Sequence, residues 1–317
     1  MAHILTVAGI DVSKHVLDIA LWPDDPPASL HLDRHQPDCF DTLAAWLTQH
    51  QASKIGLEAS GGYEIEVMDA LEARGFTVVR LNAGRVRDFA RANGRLAKND
   101  RLDAAVIAHA TATLRVRQGT GREKTLDPLV ELLTYRRRLV DWKTDCSQTL
   151  ECLRDKALCH KIQLRQASLD REIAEIERTL AARLRTGPWA ALHRRLTAVP
   201  GVALILAATL IAMVPELGRL TRRQVASLIG VAPFDDATGG RDGPRHIQGG
   251  RGKVRRVLYL AALSAIGHNA VIKALSDRLA HKKPKVRIVA CMRKLLVILN
   301  AMARDGTEWR TPEPTPA

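Results

Sequence analysis

The N-terminal third of the chain alternates between short apolar runs and segments with helical periodicity. Apolar runs of strand length span His3–Ile10, His15–Trp22, Ser29–Asp33, Lys54–Leu57 and Phe76–Leu81. A short polar turn joins the first two runs, which predicts a β-hairpin. Helical patterns follow the third, fourth and fifth runs, so strands and helices alternate as they do in layered α/β domains. The sequence therefore predicts an α/β N-terminal domain with a mixed sheet.

The middle of the chain carries a heptad pattern. Apolar residues recur mostly three, four or seven positions apart from Leu158 to Leu184, and Leu129–Leu153 before them is also helical. This spacing predicts a coiled coil, either antiparallel within the chain or between copies. A helical hairpin packed on its own domain is the alternative. We expect the coiled coil to join copies of the chain into a homo-dimer or tetramer.

The last third is predicted to be mainly α-helical. It contains an apolar segment at Val202–Val214, a glycine-rich basic stretch at Pro233–Gly252, and two later helices at Lys253–Ile266 and Val286–Ala303. The apolar segment is too short to span a membrane, so a buried helix is expected. We place the domains at 1–125, 126–187 and 188–310, with a mobile tail at 311–317.

The charge of the chain predicts a polyanionic partner. Lys and Arg number 48 against 34 Asp and Glu, which gives a formal net charge of +14. Such a balance favours nucleic acid over a membrane or a small neutral substrate. The five cysteines form no Cys-x-x-Cys pair, which argues against a zinc ribbon or a disulfide framework. We therefore expect a chain without an export signal, in the cytoplasm of a bacterium and associated with its nucleoid.

Four carboxylates are candidates for a metal site. Asp11 and Glu58 lie where apolar strands end, and Asp100 and Asp103 share one face of a helix. Carboxylate oxygens suit Mg²⁺ or Mn²⁺, and two such ions, roughly 3.5–4 Å apart, can hold the attacking and leaving oxygens of a phosphodiester. Taken singly, each acid also fits a turn, a helix cap or a solvated surface.

Two basic segments are candidates for nucleic-acid binding. The first carries Arg85, Arg87, Arg91, Arg95 and Lys98, with few acids among them. The second carries Arg241, Arg245, Arg251, Lys253, Arg255 and Arg256 in a glycine-rich setting that lets the backbone approach phosphate. Thr238 supplies a hydroxyl there, which attacks phosphorus if a base or metal activates it. A solvated helix face and a loop that only holds nucleic acid are the alternatives.

A further short segment, Val199-Pro-Gly-Val202, resembles a helix-hairpin-helix turn, whose backbone N–H groups contact phosphates. A capping turn buried under the core is equally compatible with these residues.

These motifs together resemble the DEDD-motif transposases of the insertion-sequence 110 family, relatives of the Piv DNA invertase. The resemblance rests on Gly9–Lys14, Leu57–Tyr63 and Lys98–Ala104 in the first part, and on Val199–Val202, Leu228–Phe234 and Gly249–Tyr259 in the second. It implies a RuvC-like, ribonuclease H-fold domain whose metal-binding tetrad is Asp11, Glu58, Asp100 and Asp103. It also implies a helical transposase domain, an oligomer, and a noncoding bridge RNA that pairs with donor and target DNA.

The resemblance also implies a serine nucleophile that links covalently to a DNA 5′-phosphate, and here the matching position is Thr238. Threonine keeps the hydroxyl but adds a methyl group that restricts χ1. The leading hypothesis is a magnesium-dependent, RNA-guided DNA recombinase, impaired if threonine is a poor nucleophile. The alternatives are a metal-dependent junction resolvase or nuclease without a covalent intermediate, and a non-catalytic nucleic-acid-binding relic.

Overall fold

A computed structural model describes residues 6–23, 28–94, 100–114, 124–234, 237–238, 241–242 and 246–310. The side chains of residues 100–102, 237–238 and 241–242 lie outside this description. The chain forms two compact units, Met1–Arg122 and Glu123–Ala317, called the N-terminal and C-terminal units below.

The N-terminal unit is built on a five-stranded mixed sheet. Its strands are β1 (Val7–Val12), β2 (Val16–Trp22), β3 (Ser29–Asp33), β4 (Lys54–Glu58) and β5 (Val78–Leu81). They lie in the order β3-β2-β1-β4-β5. The first three strands form an antiparallel meander, and β4 and β5 run parallel to β1. This confirms the α/β prediction and the hairpin between the first two runs.

Among the described residues, four α-helices pack on or beside this sheet. They are α1 (Cys39–Gln49), α2 (Glu64–Ala73), α3 (Ala83–Ala92) and α4 (Asp100–Thr113). Leu43 and Leu47 of α1 and Leu71 of α2 pack with strand residues such as Ile10 in one buried cluster. Because side chains alternate along a strand, the neighbouring Gly9 points to the opposite face. There α4 packs so closely that a side chain on Gly9 would clash with its backbone at Ala104 and Ala108.

The C-terminal unit begins with a hairpin of two long helices, α5 (Asp127–Cys152) and α6 (Lys156–Thr186). Ile162, Leu169 and Ile173 of the heptad pattern pack against Leu139 and Cys146 of α5. From Ile162 onward the heptad seam is therefore filled within one chain, as the helical-hairpin alternative predicts, whereas Leu158 at its start is exposed. Assembly of copies through this hairpin stays a prediction.

In the described part of the C-terminal unit, six further α-helices surround its core. They are α7 (Ala190–Thr197), α8 (Leu204–Met213), α9 (Arg222–Ile229), α10 (Gly252–His268), α11 (Ala270–Arg278) and α12 (Pro284–Asp305). Residues 206–212 of α8 are all buried. The basic stretch forms short paired strands, β6 (Pro233–Phe234) with β9 (His246–Ile247) and β7 (Ala237–Thr238) with β8 (Arg241–Asp242). The helical prediction for this region is confirmed, although α7 and α11 were not predicted.

In the described part of the chain, no single helix has both the length and the apolar composition needed to cross a bilayer. Taken together, α10 and α11 have the length and apolar composition of a membrane span, but the two helices are bent by 94° at Asn269.

Candidate functional site

Asp11 and Glu58 lie side by side at the carboxyl edge of the sheet. In the parallel pairing of β1 with β4, Ile10 is the partner of Leu57. The next register position therefore brings Asp11 level with Glu58, about 4.8 Å apart in the backbone. Both residues are half-buried. They also share the face of Gly9 and Gly56, because each follows its glycine by two residues.

The first turn of α4 reaches the same edge. Gly9 lies against Ala104 and Ala108, whereas the Lys54 ammonium at the other end of the strands donates to the Thr111 carbonyl at 3.2 Å. The helix therefore runs opposite to β1. Four helical residues rise about 6 Å and two strand residues about 6.6 Å, so the turn before Ala104 lies level with Asp11.

Asp100 and Asp103 occupy that first turn, and Asp103 is half-buried. The backbone thus brings all four positions predicted for the tetrad to one edge of one face.

The chemistry of this donor set fits a hard divalent ion. Every one of the four positions carries a carboxylate, the oxygen ligand that Mg²⁺ and Mn²⁺ prefer. Among the described side chains, no three His, Cys, Asp or Glu groups lie close enough to hold an ion as they stand. The Asp100 side chain lies outside that set. Metal ligation by the four acids therefore stays a prediction.

Glu64, which the sequence reasoning missed, organises the loop that follows Glu58. Its side chain is fully buried and pairs with the Arg80 guanidinium. It also accepts hydrogen bonds from the Ser60 backbone at 3.1 Å, the Ser60 hydroxyl at 3.2 Å and the Gly62 backbone at 2.8 Å. Burial raises the pKa of the Glu64 carboxyl, but backbone hydrogen bonds and the Arg80 charge outweigh it, so the net pKa lies below its ordinary value.

The hydrogen bonds that Ser60 donates to Glu64 fix the backbone two residues after Glu58. Glu64 was detectable as an acid that follows a glycine pair at the start of a helix.

The first basic segment is exposed where it is described. Arg85, Arg87 and Arg91 lie in solvent on α3, whereas Val86 between them is buried. Among the described residues, Arg91 is the one of these three that approaches an acid, Asp88, at 3.9 Å across an exposed helical turn, a pair of little energetic weight. These cations therefore remain available to phosphate. Arg95 and Lys98 lie outside the described residues.

Arg251 and Arg255 in the second basic segment are engaged within the chain. Arg251 forms a two-pronged ion pair with Glu216, at 2.6 and 2.7 Å, and donates to the Met213 carbonyl at 2.8 Å. Burial raises the pKa of Glu216, but the hydrogen bonds from Arg251 outweigh it and the net pKa is lowered. Arg255 donates to the carbonyls of residues 229 and 249, at 3.3 and 2.5 Å.

These two guanidinium groups therefore hold the basic segment onto the core. To bind nucleic acid as predicted, Arg251 and Arg255 would have to share or break their hydrogen bonds to Glu216 and to the backbone carbonyls. Lys253 and Arg256 are exposed and need no such rearrangement. The backbones of Thr238 and Arg241 pair with each other between β7 and β8, and their side chains are not described. Arg245 lies outside the described residues.

Comparison with known families decides the assignment. A DEDD transposase model of the IS110 type, described as Transposase, matches residues 8–156. A second model, described as Transposase IS116/IS110/IS902 family, matches residues 193–277. The chain belongs to the IS110 family of transposases. No curated protein matches it. The resemblance found in the motifs is thus confirmed, and DNA is the partner that the transposase family implies.

The turn at residues 199–202 of the transposase is packed against α10. Gly201 has a φ of +90°, and a side chain there would lie 2.5 Å from the Cα of Ala265. Val199 and Val202 on either side are buried. Of the two interpretations that the sequence left open, these contacts favour the buried capping turn over a phosphate-binding hairpin.

The transposase also has a basic surface that the sequence reasoning missed. The turn between α11 and α12, together with the adjoining helix ends, exposes five basic side chains and is here called the basic turn: Arg278, His281, Lys282, Lys283 and Lys285. Among the described residues, none of the five forms an ion pair with an acid. Exposed cations without acid partners are typical of surfaces that bind phosphate backbones. The run His-Lys-Lys-Pro-Lys was visible in the sequence as the signal.

Proposed function

We propose that this transposase recombines DNA through a covalent intermediate on Thr238, with a divalent ion held by Asp11, Glu58, Asp100 and Asp103. The observation that carries the proposal is the arrival of the first turn of α4 at the sheet edge where Asp11 and Glu58 lie. The strand order β3-β2-β1-β4-β5, with β2 antiparallel to its neighbours, supports a RuvC-like, ribonuclease H-type fold for the N-terminal unit.

The proposed reaction is a transesterification that conserves bonds. The Thr238 hydroxyl oxygen bonds to phosphorus as the bond from phosphorus to the DNA 3′ oxygen breaks. The proton lost by threonine goes to solvent, and the departing 3′ oxygen takes up a proton to become a hydroxyl. A second DNA 3′ hydroxyl reverses the step and releases threonine. When bound, a divalent ion supplies charge stabilisation for the pentacovalent phosphate.

The chain's own residues have separate parts in this scheme. The carboxylates at the sheet edge hold the ion and fix its position against α4. The exposed cations of α3, Lys253 and Arg256 bind the phosphates of donor and target DNA. A noncoding bridge RNA selects the DNA by pairing with both, and the transposase acts as a homo-dimer or tetramer. The formal charge of +14 supports a polyanionic partner for this scheme.

The test is recombination between donor and target plasmids by purified protein, with Mg²⁺ and the structured noncoding RNA that the proposal requires. We expect Asp11→Asn to abolish product, whereas Asp38→Asn, an equal change of charge at an exposed residue of the same unit, leaves product unchanged. Equal product from Asp11→Asn and wild type would show that the ion site is wrong.

Thr238 is tested separately by trapping the protein–DNA adduct in denaturing gels. We expect an adduct from wild type and from Thr238→Ser, and none from Thr238→Ala. Metal-dependent cleavage that leaves no adduct in any variant would favour the junction resolvase or nuclease. Salt-sensitive binding without cleavage would favour the non-catalytic relic.

A further inference from the structure

An exposed tyrosine ends the loop that follows Glu58. The side chain of Tyr63 is 46% exposed, and the ring belongs to none of the buried apolar clusters. Among the described residues, the Tyr63 hydroxyl has no hydrogen-bond partner. Part of the ring surface and the hydroxyl are therefore available to a ligand.

A buried arginine supports the Tyr63 ring. The Cζ of Arg34 lies over the ring, 5.8 Å from its centroid, which is within the range of a cation–π contact. The Arg34 side chain is only 9% exposed, and its guanidinium donates to the Ser13 carbonyl at 3.2 Å and pairs with Glu66 at 2.7 Å. The charge of Arg34 is therefore engaged within the chain, and its position beneath the ring is fixed.

The backbone that carries Tyr63 is fixed as well. The N–H of the preceding Gly62 donates to the buried Glu64 carboxylate at 2.8 Å, and Glu64 is the first residue of α2. A side chain that is ordered before its ligand arrives loses little conformational entropy on binding. Exposed aromatic rings held in this way are typical of surfaces on which nucleobases stack.

Tyr63 lies at the sheet edge of the predicted ion site. The loops after β1 and β4 are neighbours because these two strands are paired in parallel. Tyr63 follows Glu58 by five residues, and Arg34 connects the ring to the carbonyl of Ser13, two residues after Asp11. A base that stacks on this ring therefore belongs to a nucleotide close to any phosphate held at Asp11 and Glu58.

Basic side chains border the ring at the same edge. Lys14 and His15 are exposed in the loop after β1, and His35 is exposed next to Arg34. Within the described part of the chain, Lys14 forms no ion pair. Single-strand binding surfaces combine such cations, which contact the phosphates, with rings on which the bases stack. The surroundings of Tyr63 thus favour a nucleic-acid strand as the ligand.

We propose that Tyr63 is a stacking platform for an unpaired base of the DNA strand that reacts at the edge formed by Asp11 and Glu58, and that Arg34 is the positioning residue beneath the ring. This inference rests on the proposed function, because it takes from it the place of the reacting phosphate. Strand exchange separates bases from their partners beside the cut, and unstacking of a base costs energy. Stacking on Tyr63 compensates part of that cost and holds the strand in place.

The test uses the full chain and single-stranded DNA that carries 2-aminopurine, a fluorescent base whose emission falls when it stacks on an aromatic ring. We expect wild type to quench the probe at saturating protein, and Tyr63→Leu to remove this quenching and to weaken binding about 10-fold, the size of one stacking contact. Tyr63→Trp should keep both. Tyr135→Leu is the matched control, since it removes a ring that is 42% exposed on the α5–α6 hairpin.

Arg34 is tested by the same signal. Arg34→Ala should reduce the quenching, because the ring loses the group beneath it, and Arg34→Lys should restore part of it by keeping a cation there. Saturating protein ensures that weaker binding alone does not lower the signal. Full quenching in Arg34→Ala would show that Arg34 does not position the ring.

The outcomes separate this inference from the proposed function. Absence of quenching by wild type, or equal quenching by wild type and Tyr63→Leu, would overturn the platform. Quenching of an RNA strand of the same sequence but not of the DNA would also contradict it. Failure of the proposed function is seen elsewhere, as recombination by Asp11→Asn at the wild-type level. Because Tyr63 is exposed, we expect Tyr63→Leu to unfold in urea at the wild-type midpoint.

Discussion

Single side chains hold the loop beside the predicted ion site, and Glu64 is the most deeply buried of them. Glu64→Ala leaves two backbone N–H groups and the Arg80 guanidinium without their shared acceptor. We expect the free energy of unfolding to fall by about 2 kcal/mol, mainly because the backbone N–H groups lose their acceptor, since the half-exposed Arg80 guanidinium becomes hydrated. Glu64→Gln keeps an acceptor and should lose about half as much. Urea denaturation of the full chain at pH 7 measures both values.

The pH dependence of the same variants checks the cause. Because the folded-state pKa of Glu64 is lowered, its charge stabilises the fold above the unfolded value of about 4.3, and that stability is lost as pH falls through the folded pKa. The difference between wild type and Glu64→Gln should therefore be full at pH 7 and shrink below about pH 4. A difference that stays constant from pH 7 to pH 3 would mean that the carboxylate charge contributes nothing.

Residues that act through chain-distant contacts were the hardest to predict. Asp11 and Glu58 were identified from the sequence because each acid directly follows an apolar run. The partner of Asp18 is His31, thirteen positions away, and this pairing follows only from the register of β2 with β3. Arg251 was predicted to bind phosphate, since the charge pattern carries no sign that Glu216, thirty-five positions earlier, pairs with it.

At the scale of elements, the close packing of α4 on the sheet decides whether the four acids meet. Gly9→Ala places a methyl group against the α4 backbone at Ala104 and Ala108, which has no freedom to yield as a side chain would. We expect a loss of about 3 kcal/mol in unfolding free energy, at the upper end for overpacking. Weaker Mn²⁺ binding should accompany it, because the first turn of α4 is displaced from Asp11.

The control for that change is Gly267→Ala in α10, where a new Cβ has nothing within 4 Å. Alanine there should stabilise the helix by up to about 1 kcal/mol. If both glycine variants behave alike, close packing of α4 is not what fixes the sheet edge.

Helices with a clear apolar period were predictable from the sequence, and the short helices α7 and α11 were not. The helical pattern predicted after the fifth apolar run is α3, in which the buried Val86 lies between exposed charged residues. By contrast, α11 follows α10 after the single residue Asn269, which caps α11 by accepting from the backbones of residues 271 and 272. Its nine residues are too few to establish a helical period, so this cap is the main signal that a separate helix begins here. The heptad pattern correctly predicted a long paired helix, but it did not show whether the partner helix belongs to the same chain. In the structure, α5 of the same chain packs against it.

For the whole molecule, the net charge of +14 predicts nucleic-acid binding, and the structure divides the cations into engaged and available ones. Cations with acid partners include Arg74 with Asp41 and Lys143 with Asp170, both at 2.5 Å. The basic turn of the C-terminal unit carries cations of the other kind. Counterion release on binding DNA depends on the number of phosphates neutralised, and paired cations contribute less to that number. The salt dependence of binding therefore reports which cations touch phosphate.

We expect the triple change Lys282→Ala, Lys283→Ala and Lys285→Ala to reduce the slope of log affinity against log salt concentration by about 2 to 3 for duplex DNA, since each phosphate contact contributes about 0.9. The control removes equal charge from the paired cations Arg74, Arg137 and Lys143. Fluorescence anisotropy with labelled duplex between 50 and 300 mM KCl, a range of about sixfold, measures both slopes. If only net charge mattered, both triple variants would reduce the slope equally. If the basic turn contacts phosphate, only the variant of the basic turn reduces it. Equal slopes would therefore remove the basic turn from the DNA-binding surface and leave α3, Lys253 and Arg256 to account for the affinity.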